Sequence, residues 1–313
     1  MGKIPLIGEE VKRPVFQLLI TSRPKQWIKN FVIFLPLLFS FNESWSLGSD
    51  TEAFNFLIKV TISFVIFTLA SSSVYLVNDV IDAQEDRSHP IKKKRPVAAG
   101  TLSIRFAIFS SIFAASISLL TSWIFVWELT PILAIYLGLM LSYVLLFRRF
   151  IILDVFCIGL GFLLRVIAGG VVIGIPISPW LYVCMGFGAL FIGFSKRKGE
   201  LLSVSGMSSG ESKLRDTLGK YDLGFIDNLL SMTSAATLIS YCLYTFWAEN
   251  LPGNNSMMLT IPFVAYGLFR YLYLSRFPGV TERPEETIIR DPHMVTSVVL
   301  WLLAVVGILA LYR

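Results

Sequence analysis

Apolar residues occur along this chain in long blocks broken by short polar stretches, not in the alternation of a half-buried strand. Nine blocks are centred near Ile33, Phe64, Ala114, Tyr136, Leu160, Gly186, Ala235, Ala265 and Ala304. A helix needs roughly 20 apolar residues to cross a bilayer core. Several blocks fall short of that, which predicts tilted helices or shared ends. The pattern therefore predicts an all-α integral membrane protein of nine transmembrane helices, with residues 1–313 forming a single domain. It leaves no tract for a second folded domain, a low-complexity segment or a solenoid repeat.

Composition agrees. Of the 313 residues, 55% are hydrophobic and 15% charged, and the mean hydropathy is +0.69; soluble proteins carry about 25% charged residues. The first 27 residues mix acids, bases and prolines and lack an evident small-residue cleavage site, so the first apolar block is expected to stay on the mature protein. Leu6 excludes the usual myristoylation pattern. Cys157, Cys184 and Cys242 lie inside apolar blocks without ligand spacing and read as small buried residues.

The basic residues fall on alternate connections. Lys3, Lys12, Arg13, Arg23, Lys25 and Lys29 precede the first block. Arg87, Lys92, Lys93, Lys94, Arg95 and Arg105 lie between the second and third, and Arg148 and Arg149 between the fourth and fifth. Lys196, Arg197, Lys198, Lys213, Arg215 and Lys220 follow the sixth, and Arg270, Arg276, Arg283 and Arg290 surround the end of the eighth. The other connections carry acids such as Glu43, Asp50, Glu52, Glu128 and Glu249. Positive charge marks the cytoplasmic side, which predicts a cytoplasmic N-terminus. The net charge of +6 suits anionic lipid or an anionic substrate and gives no argument for nucleic acid.

The densest charge is NDVIDAQEDRSHPIKKKRPVAAG, residues 78–100. Asp79, Asp82 and Asp86 are spaced three and four apart. On a helix, Asp86 lies about 20° and Asp82 about 60° from Asp79. Carboxylates on one face repel unless a cation lies between them. An oxygen-only donor set favours a hard ion, Mg2+ or Mn2+. Asn78 offers a neutral oxygen or a substrate contact. Pro90 disfavours helix at His89, so the second helix is expected to stop there. Lys92 and Arg95 follow in a basic loop, and acids for a metal next to such a loop form the two halves of a diphosphate site. The plainer alternative, a solvated helix end, explains the lysines but not the one-faced aspartates.

Other candidates lie on the same side: Lys25 and Lys29 in SRPKQWIKN, Tyr143 and Arg148 in SYVLLFRRF, Lys196 and Arg197 in FSKRKGEL. Each base competes with a reading as a snorkelling side chain. Trp27 reads as an interfacial anchor. Arg165 lies deep in the fifth block, where a charge marks a functional site by default. Asp154 is eleven residues earlier, nearly on the same face, and Gly161 and Gly169 align with Arg165, so a neighbouring helix can pack close. Arg165 either binds an anionic head group or ties helices together. His89 either caps a helix end or acts in catalysis.

Residues 78–100 resemble the first aspartate-rich motif, NDxxDxxxD followed by HPxKxxRPxxxG, of the UbiA superfamily of membrane polyprenyl transferases. That resemblance implies nine helices around a central cavity, with the motif loops, here about 78–105 and 195–225, facing the cytoplasm. Most members carry a second aspartate motif after the sixth helix, where this chain has SKRKGELL. The departure resembles the decaprenyl-phosphate phosphoribosyltransferase branch, whose pattern matches RPKQWIKN, GFLLRVIAGG, KRKGEL and PEETIIRD here; Arg148 stands where that branch has Lys. The resemblance implies transfer of 5-phosphoribose from 5-phosphoribosyl 1-diphosphate (PRPP) to a polyprenyl phosphate in the inner (plasma) membrane, towards a lipid-linked arabinose donor for arabinan. It implies Mg2+ on Asp79, Asp82 and Asp86. Small-residue faces permit contact between protomers, as in a homo-oligomer. Two rivals remain: prenyl transfer to an aromatic acceptor, and a transporter or lipid-phosphate-binding module.

Overall fold

The computed structural model describes residues 14–41, 45, 50–88, 92–205 and 218–312. Among them the chain is helical apart from turns and one isolated bridge between Phe41 and Trp45. Lys3, Lys12, Arg13, Glu43, His89, Pro90, Lys213 and Arg215 lie outside these residues.

Helix α1 (Pro14–Thr21) precedes a lead-in segment, Pro24–Phe34, which winds as a 3-10 helix and passes into α2 (Leu35–Phe39). The sequence explains this interruption. Arg23 takes the left-handed conformation (φ 54°) immediately before Pro24, and Pro36 removes a backbone donor at the start of α2. The first expected span is therefore a broken one.

Long helices follow: α3 (Asp50–Ile81), α5 (Ile104–Phe125), α6 (Leu129–Leu145), α7 (Leu153–Ile173), α8 (Pro179–Ser205), α9 (Leu223–Trp247), α10 (Ile261–Leu274) and α12 (Pro292–Tyr312). Two short helices, α4 (Ala83–Ser88) and α11 (Pro284–Arg290), lie beside the ends of the long ones. Ser103 and Asp222 cap α5 and α9 by accepting the backbone N–H of Phe106 and Phe225. Among the described residues, six helical segments are long and apolar enough to cross a membrane: 51–81, 104–125, 153–173, 223–247, 256–274 and 292–312. Of the other three expected spans, one is the broken Pro24–Phe39 stretch, one is the shorter apolar α6, and one is α8, whose last turns carry charge.

Helix α3 packs against α5, α6, α7 and the lead-in segment, α8 against α7 and α9, and α10 against α12. A buried cluster including Ile33, Phe67, Leu133, Tyr136 and Ala168 joins the lead-in segment, α3, α6 and α7. Large apolar side chains such as Phe109, Phe113, Trp123 and Leu303 face outward, as expected where lipid is the solvent. The close approach expected beside Gly169 is present. A Cβ there would fall 2.1 Å from the Ile33 carbonyl oxygen, so only glycine lets the lead-in backbone lie on α7.

Candidate functional site

Helix α3 ends at Ile81 and α4 begins at Ala83, so the long helix breaks at Asp82, before His89. The break does not disturb the face. Asp82 N–H donates to the Asn78 carbonyl at 2.9 Å, and Asp86 N–H to the Asp82 carbonyl at 2.8 Å, which preserves the helical spacing of the aspartates. All three are nearly fully buried.

Each carboxylate is met by arginine. Arg23, at the start of the lead-in segment, donates to Asp79 Oδ1. Arg95 Nη1 lies 2.7 Å from Asp86 Oδ2 and 3.4 Å from Asp79 Oδ1. Arg148, between α6 and α7, donates to Asp82 Oδ1, while Asn78 Nδ2 donates to Asp82 Oδ2 at 3.0 Å. The compensation that sequence reasoning assigns to a metal is thus supplied here by guanidiniums from three segments. Burial pushes the Asp86 carboxyl above its usual range, against the pull of Arg95.

Among the described residues, no three or more His, Cys, Asp or Glu side chains form a set able to hold a metal ion by themselves. Two of the aspartates nevertheless fit. Asp79 and Asp86 converge on one cationic nitrogen, and Mg2+ is commonly bound by one or two carboxylates completed by water and substrate phosphates. The donors are hard oxygens, and three arginines beside them suit a diphosphate.

The lead-in segment also meets α11. Lys25 Nζ lies 3.3 Å from Glu286 Oε1, Lys29 Nζ lies 3.5 Å from Glu285 Oε2, and Gln26 Nε2 donates to Glu285 Oε1. RPKQWIKN and PEETIIRD, some 260 residues apart, therefore form one contact. Lys25 is exposed, while Lys29 is mostly buried. Trp27 donates to the Ser22 carbonyl at 3.2 Å, closing the turn before it.

Arg165 is 5% exposed. Its Nε donates to Asn30 Oδ1 at 2.6 Å, Nη1 to the Gly161 carbonyl at 2.6 Å and Nη2 to Tyr136 Oη at 2.9 Å. The guanidinium lies over the rings of Tyr136, Phe67 and Phe162, at 4.8, 5.4 and 5.4 Å. Of the two readings of Arg165, the geometry matches the one that ties helices together. Asp154 does not serve it.

Asp154 instead accepts from Arg197 Nε at 2.8 Å and from the Tyr221 hydroxyl at 3.0 Å, and Arg197 Nη1 donates to Glu200 Oε2 at 2.6 Å. Tyr221 in turn accepts the backbone N–H of Ile152 at 2.8 Å. Burial pushes the Tyr221 hydroxyl up, which keeps it a donor. This network joins α7 to α8, with Arg197 as a bolt between them. Lys196 reaches Glu200 at 4.0 Å, and Tyr143 lies half-buried within electrostatic reach of Arg197. Lys92 is half-buried and within electrostatic reach of Asp86.

Sequence reasoning singled out neither Asn30, Tyr75 nor Glu285, and it passed over Arg23 for the lysines beside it. Asn30 accepts from Arg165 and donates to Thr68 Oγ1 at 3.0 Å. The Arg23 guanidinium lies 5.1 Å over the Tyr75 ring. Tyr75 precedes Asp79 by one turn, a spacing that could have drawn attention to it. A cavity of about 300 Å3 opens between α8, α10 and α12, lined by apolar groups including Gly188, Phe191, Gly267, Val298 and Trp301.

Comparison with known proteins adds the following. The pattern of the UbiA prenyltransferase family matches residues 36–198. The chain is 31% identical over 302 residues to decaprenyl-phosphate phosphoribosyltransferase of Mycolicibacterium smegmatis, covering 93% of this chain and 92% of that one. It is 30% identical over 283 residues to the protein of that name from Mycobacterium tuberculosis, covering 90% and 91%. Among solved structures, a UbiA homologue from Archaeoglobus fulgidus bound to GPP and Mg2+ superposes with a TM-score of 0.69 at 16% identity, covering 94% of this chain and all of that one. The same homologue bound to DMAPP and Mg2+ gives 0.67 at 18% identity, covering 94% of this chain and 99% of that one. At these identities the structural likeness establishes the fold.

Proposed function

Since the chain belongs to the UbiA prenyltransferase family, we propose that it transfers 5-phosphoribose from PRPP to a polyprenyl phosphate, releasing diphosphate, towards a lipid-linked arabinose donor for cell-wall arabinan. One observation carries this reading: the likeness to decaprenyl-phosphate phosphoribosyltransferases runs through 93% of the chain; within this chain RPKQWIKN meets PEETIIRD through Lys25, Gln26 and Lys29 and reaches Asp79 through Arg23. The second aspartate motif of most family members is replaced by Lys196, Arg197 and Lys198. The rival reading, prenyl transfer to an aromatic acceptor, has the likeness to the Archaeoglobus homologues in its favour, and at 16–18% identity that likeness extends to fold alone.

In this reading residues 1–313 form one domain of nine spans, with the N-terminus and the aspartates on the cytoplasmic side of the plasma (inner) membrane, where a soluble, polyanionic donor arrives. Of the three aspartates, Asp79 and Asp86 would hold Mg2+, or Mn2+, which would supply neutralising charge to the departing diphosphate, with Asp82 held beside them by Arg148 and Asn78. Arg23, Arg95 and Arg148 already sit against the carboxylates and exchange them for phosphate oxygens when donor is present. Asn78, Lys25, Lys29, Lys92 and Lys196 share the remaining phosphate charge with Tyr143, while Arg197 holds α8 in place. The bond from ribose C1 to the diphosphate oxygen breaks with its electron pair leaving on diphosphate, and an oxygen of the lipid phosphate bonds to C1. The acceptor is already an anion, so no strong base is required. The lipid chain leaves sideways among apolar helices.

The test incubates purified protein with PRPP labelled in the ribose, Mg2+ and a polyprenyl phosphate, followed by lipid extraction. Label in the organic phase that disappears in Asp79→Asn is the expected result. Equal labelling by Asp79→Asn removes the aspartates from the reaction.

A further inference from the structure

Glu285 is an anomaly in a site built for phosphates. It is only 9% exposed, and it belongs to α11, which the lead-in segment touches through Lys25, Gln26 and Lys29. Its Oε1 is fixed by the Gln26 amide. Its Oε2 is buried, stands 3.5 Å from the Lys29 ammonium, and takes no hydrogen bond from the described residues. A buried carboxylate oxygen whose nearest cation stands at 3.5 Å, longer than the about 2.7–2.9 Å of a charge-assisted hydrogen bond, keeps a lone pair for a better-placed donor. Its surroundings show what it is near. Tyr75, one turn before Asp79, lies under Arg23 and within electrostatic reach of Glu285 and Arg165. The lead-in segment thus runs from the Asp79 pole, through Arg23, to the Glu285 pole, through Gln26 and Lys29.

Paired with Lys29, the Glu285 carboxylate still turns anionic oxygens away from its own Oε2, while Lys25 and Lys29 beside it remain available to phosphate. It accepts neutral donors, above all hydroxyls, and a charge-assisted hydrogen bond of this kind is about twice as strong as a neutral one. A phosphoribosyl donor carries two vicinal hydroxyls on its ring, whereas a prenyl diphosphate carries none. We infer that Glu285 is a specificity-determining residue that accepts a ribose hydroxyl of the donor through Oε2, with Gln26 as the residue that positions it. The inference rests on the phosphoribosyl reading above and adds to it the group that tells a sugar diphosphate from a prenyl diphosphate. Gln26 and Glu285 belong to the RPKQWIKN and PEETIIRD stretches, but neither takes a role from the sequence, because nothing in it places the two stretches together.

The experiment compares PRPP with its 2-deoxy and 3-deoxy analogues as donors, with Mg2+ and a polyprenyl phosphate, in the wild type, Glu285→Gln, Glu285→Asp and Glu286→Gln. The wild type is expected to lose at least about tenfold in kcat/KM on one of the two analogues, since a buried acceptor left unpaired discriminates strongly. Glu285→Gln and Glu285→Asp shrink that ratio towards one, mainly by lowering kcat/KM for PRPP itself, while Glu286→Gln keeps it. Wild-type protein that uses PRPP and both deoxy donors equally well overturns the inference without any variant, so a failure of Glu285→Gln to fold does not protect it. A ratio unchanged in folded Glu285→Asp also overturns it. If the wild type transfers no phosphoribose but does transfer a prenyl group, the phosphoribosyl reading fails first and takes this inference with it.

Discussion

Arg165 Nε donates to Asn30 Oδ1 at 2.6 Å, joining the middle of α7 to the lead-in segment. The bond places a buried cation against neutral acceptors and aromatic faces, one helical turn from the close approach of Gly169 to Ile33. Hydrogen bonds to charged groups are worth about 1.5–3 kcal/mol each. Arg165→Ala is therefore expected to lower the melting temperature clearly, with Asn30→Ala producing part of the same loss and the double variant less than the sum. Lost turnover in Arg165→Ala with unchanged melting would move Arg165 to ligand binding.

The Asp154–Arg197–Glu200 network predicts unequal costs for its two acids. Asp154 is 1% exposed and Glu200 26%. Asp154→Asn removes the interior charge that Arg197 and the Tyr221 hydroxyl share and leaves the guanidinium to Glu200 alone, a loss of roughly 1.5–3 kcal/mol, whereas the charge of the partly exposed Glu200 is screened by water. Asp154→Asn should destabilise far more than Glu200→Gln in detergent melts. Equal, small effects would mean that the network does not hold α7 to α8.

Arg95 faces both Asp79 and Asp86, so it competes with any metal for them and is also a partner for donor phosphate. Arg95→Ala should lower the Mg2+ concentration needed for half-maximal activity while raising KM for the diphosphate donor about tenfold or more. Titrations of Mg2+ and donor separate the two. A rise in both would show that Arg95 does not compete with the ion.

Asp291, at the start of α12, accepts from Arg270 at 3.2 and 2.7 Å and from the Met294 backbone N–H at 2.9 Å. The Arg270 hydrogen bonds hold its carboxyl below the usual range. For an acid whose folded pKa is depressed, the stabilisation is present above the unfolded value of about 4 and is lost as pH falls through the folded one. Asp291→Asn should thus melt lower than wild type from pH 5 to 8, and the gap should close below about pH 4. A gap independent of pH would assign the effect to packing.

Much of this architecture was legible in the chain. Apolar blocks located the long helices because the bilayer demands uninterrupted hydrophobic length. The spacing of Asp79, Asp82 and Asp86 foretold a shared face even though the helix breaks at Asp82, since the i to i−4 hydrogen bonds continue across the junction. The pairing of those aspartates with Arg23, Arg95 and Arg148 was not legible, because each guanidinium comes from a different segment and only the fold makes them neighbours. Long-range distance also hid the contact of Gln26 and Lys29 with Glu285. The partner of Asp154 was hidden as well, although the sequence put Asp154 nearly on the face of Arg165. A shared helix face fixes direction, but about 16 Å of rise separates the two, and Arg197 on α8 is nearer.

The central claim concerns which donor is used, and one competition measures it most directly. Purified protein with Mg2+ receives ribose-labelled PRPP and a differently labelled prenyl diphosphate together, along with a polyprenyl phosphate and an aromatic acceptor. The account predicts ribose label in the polyprenyl phosphate fraction and no prenylated aromatic product. Prenylated aromatic product without ribose label in the lipid would contradict it.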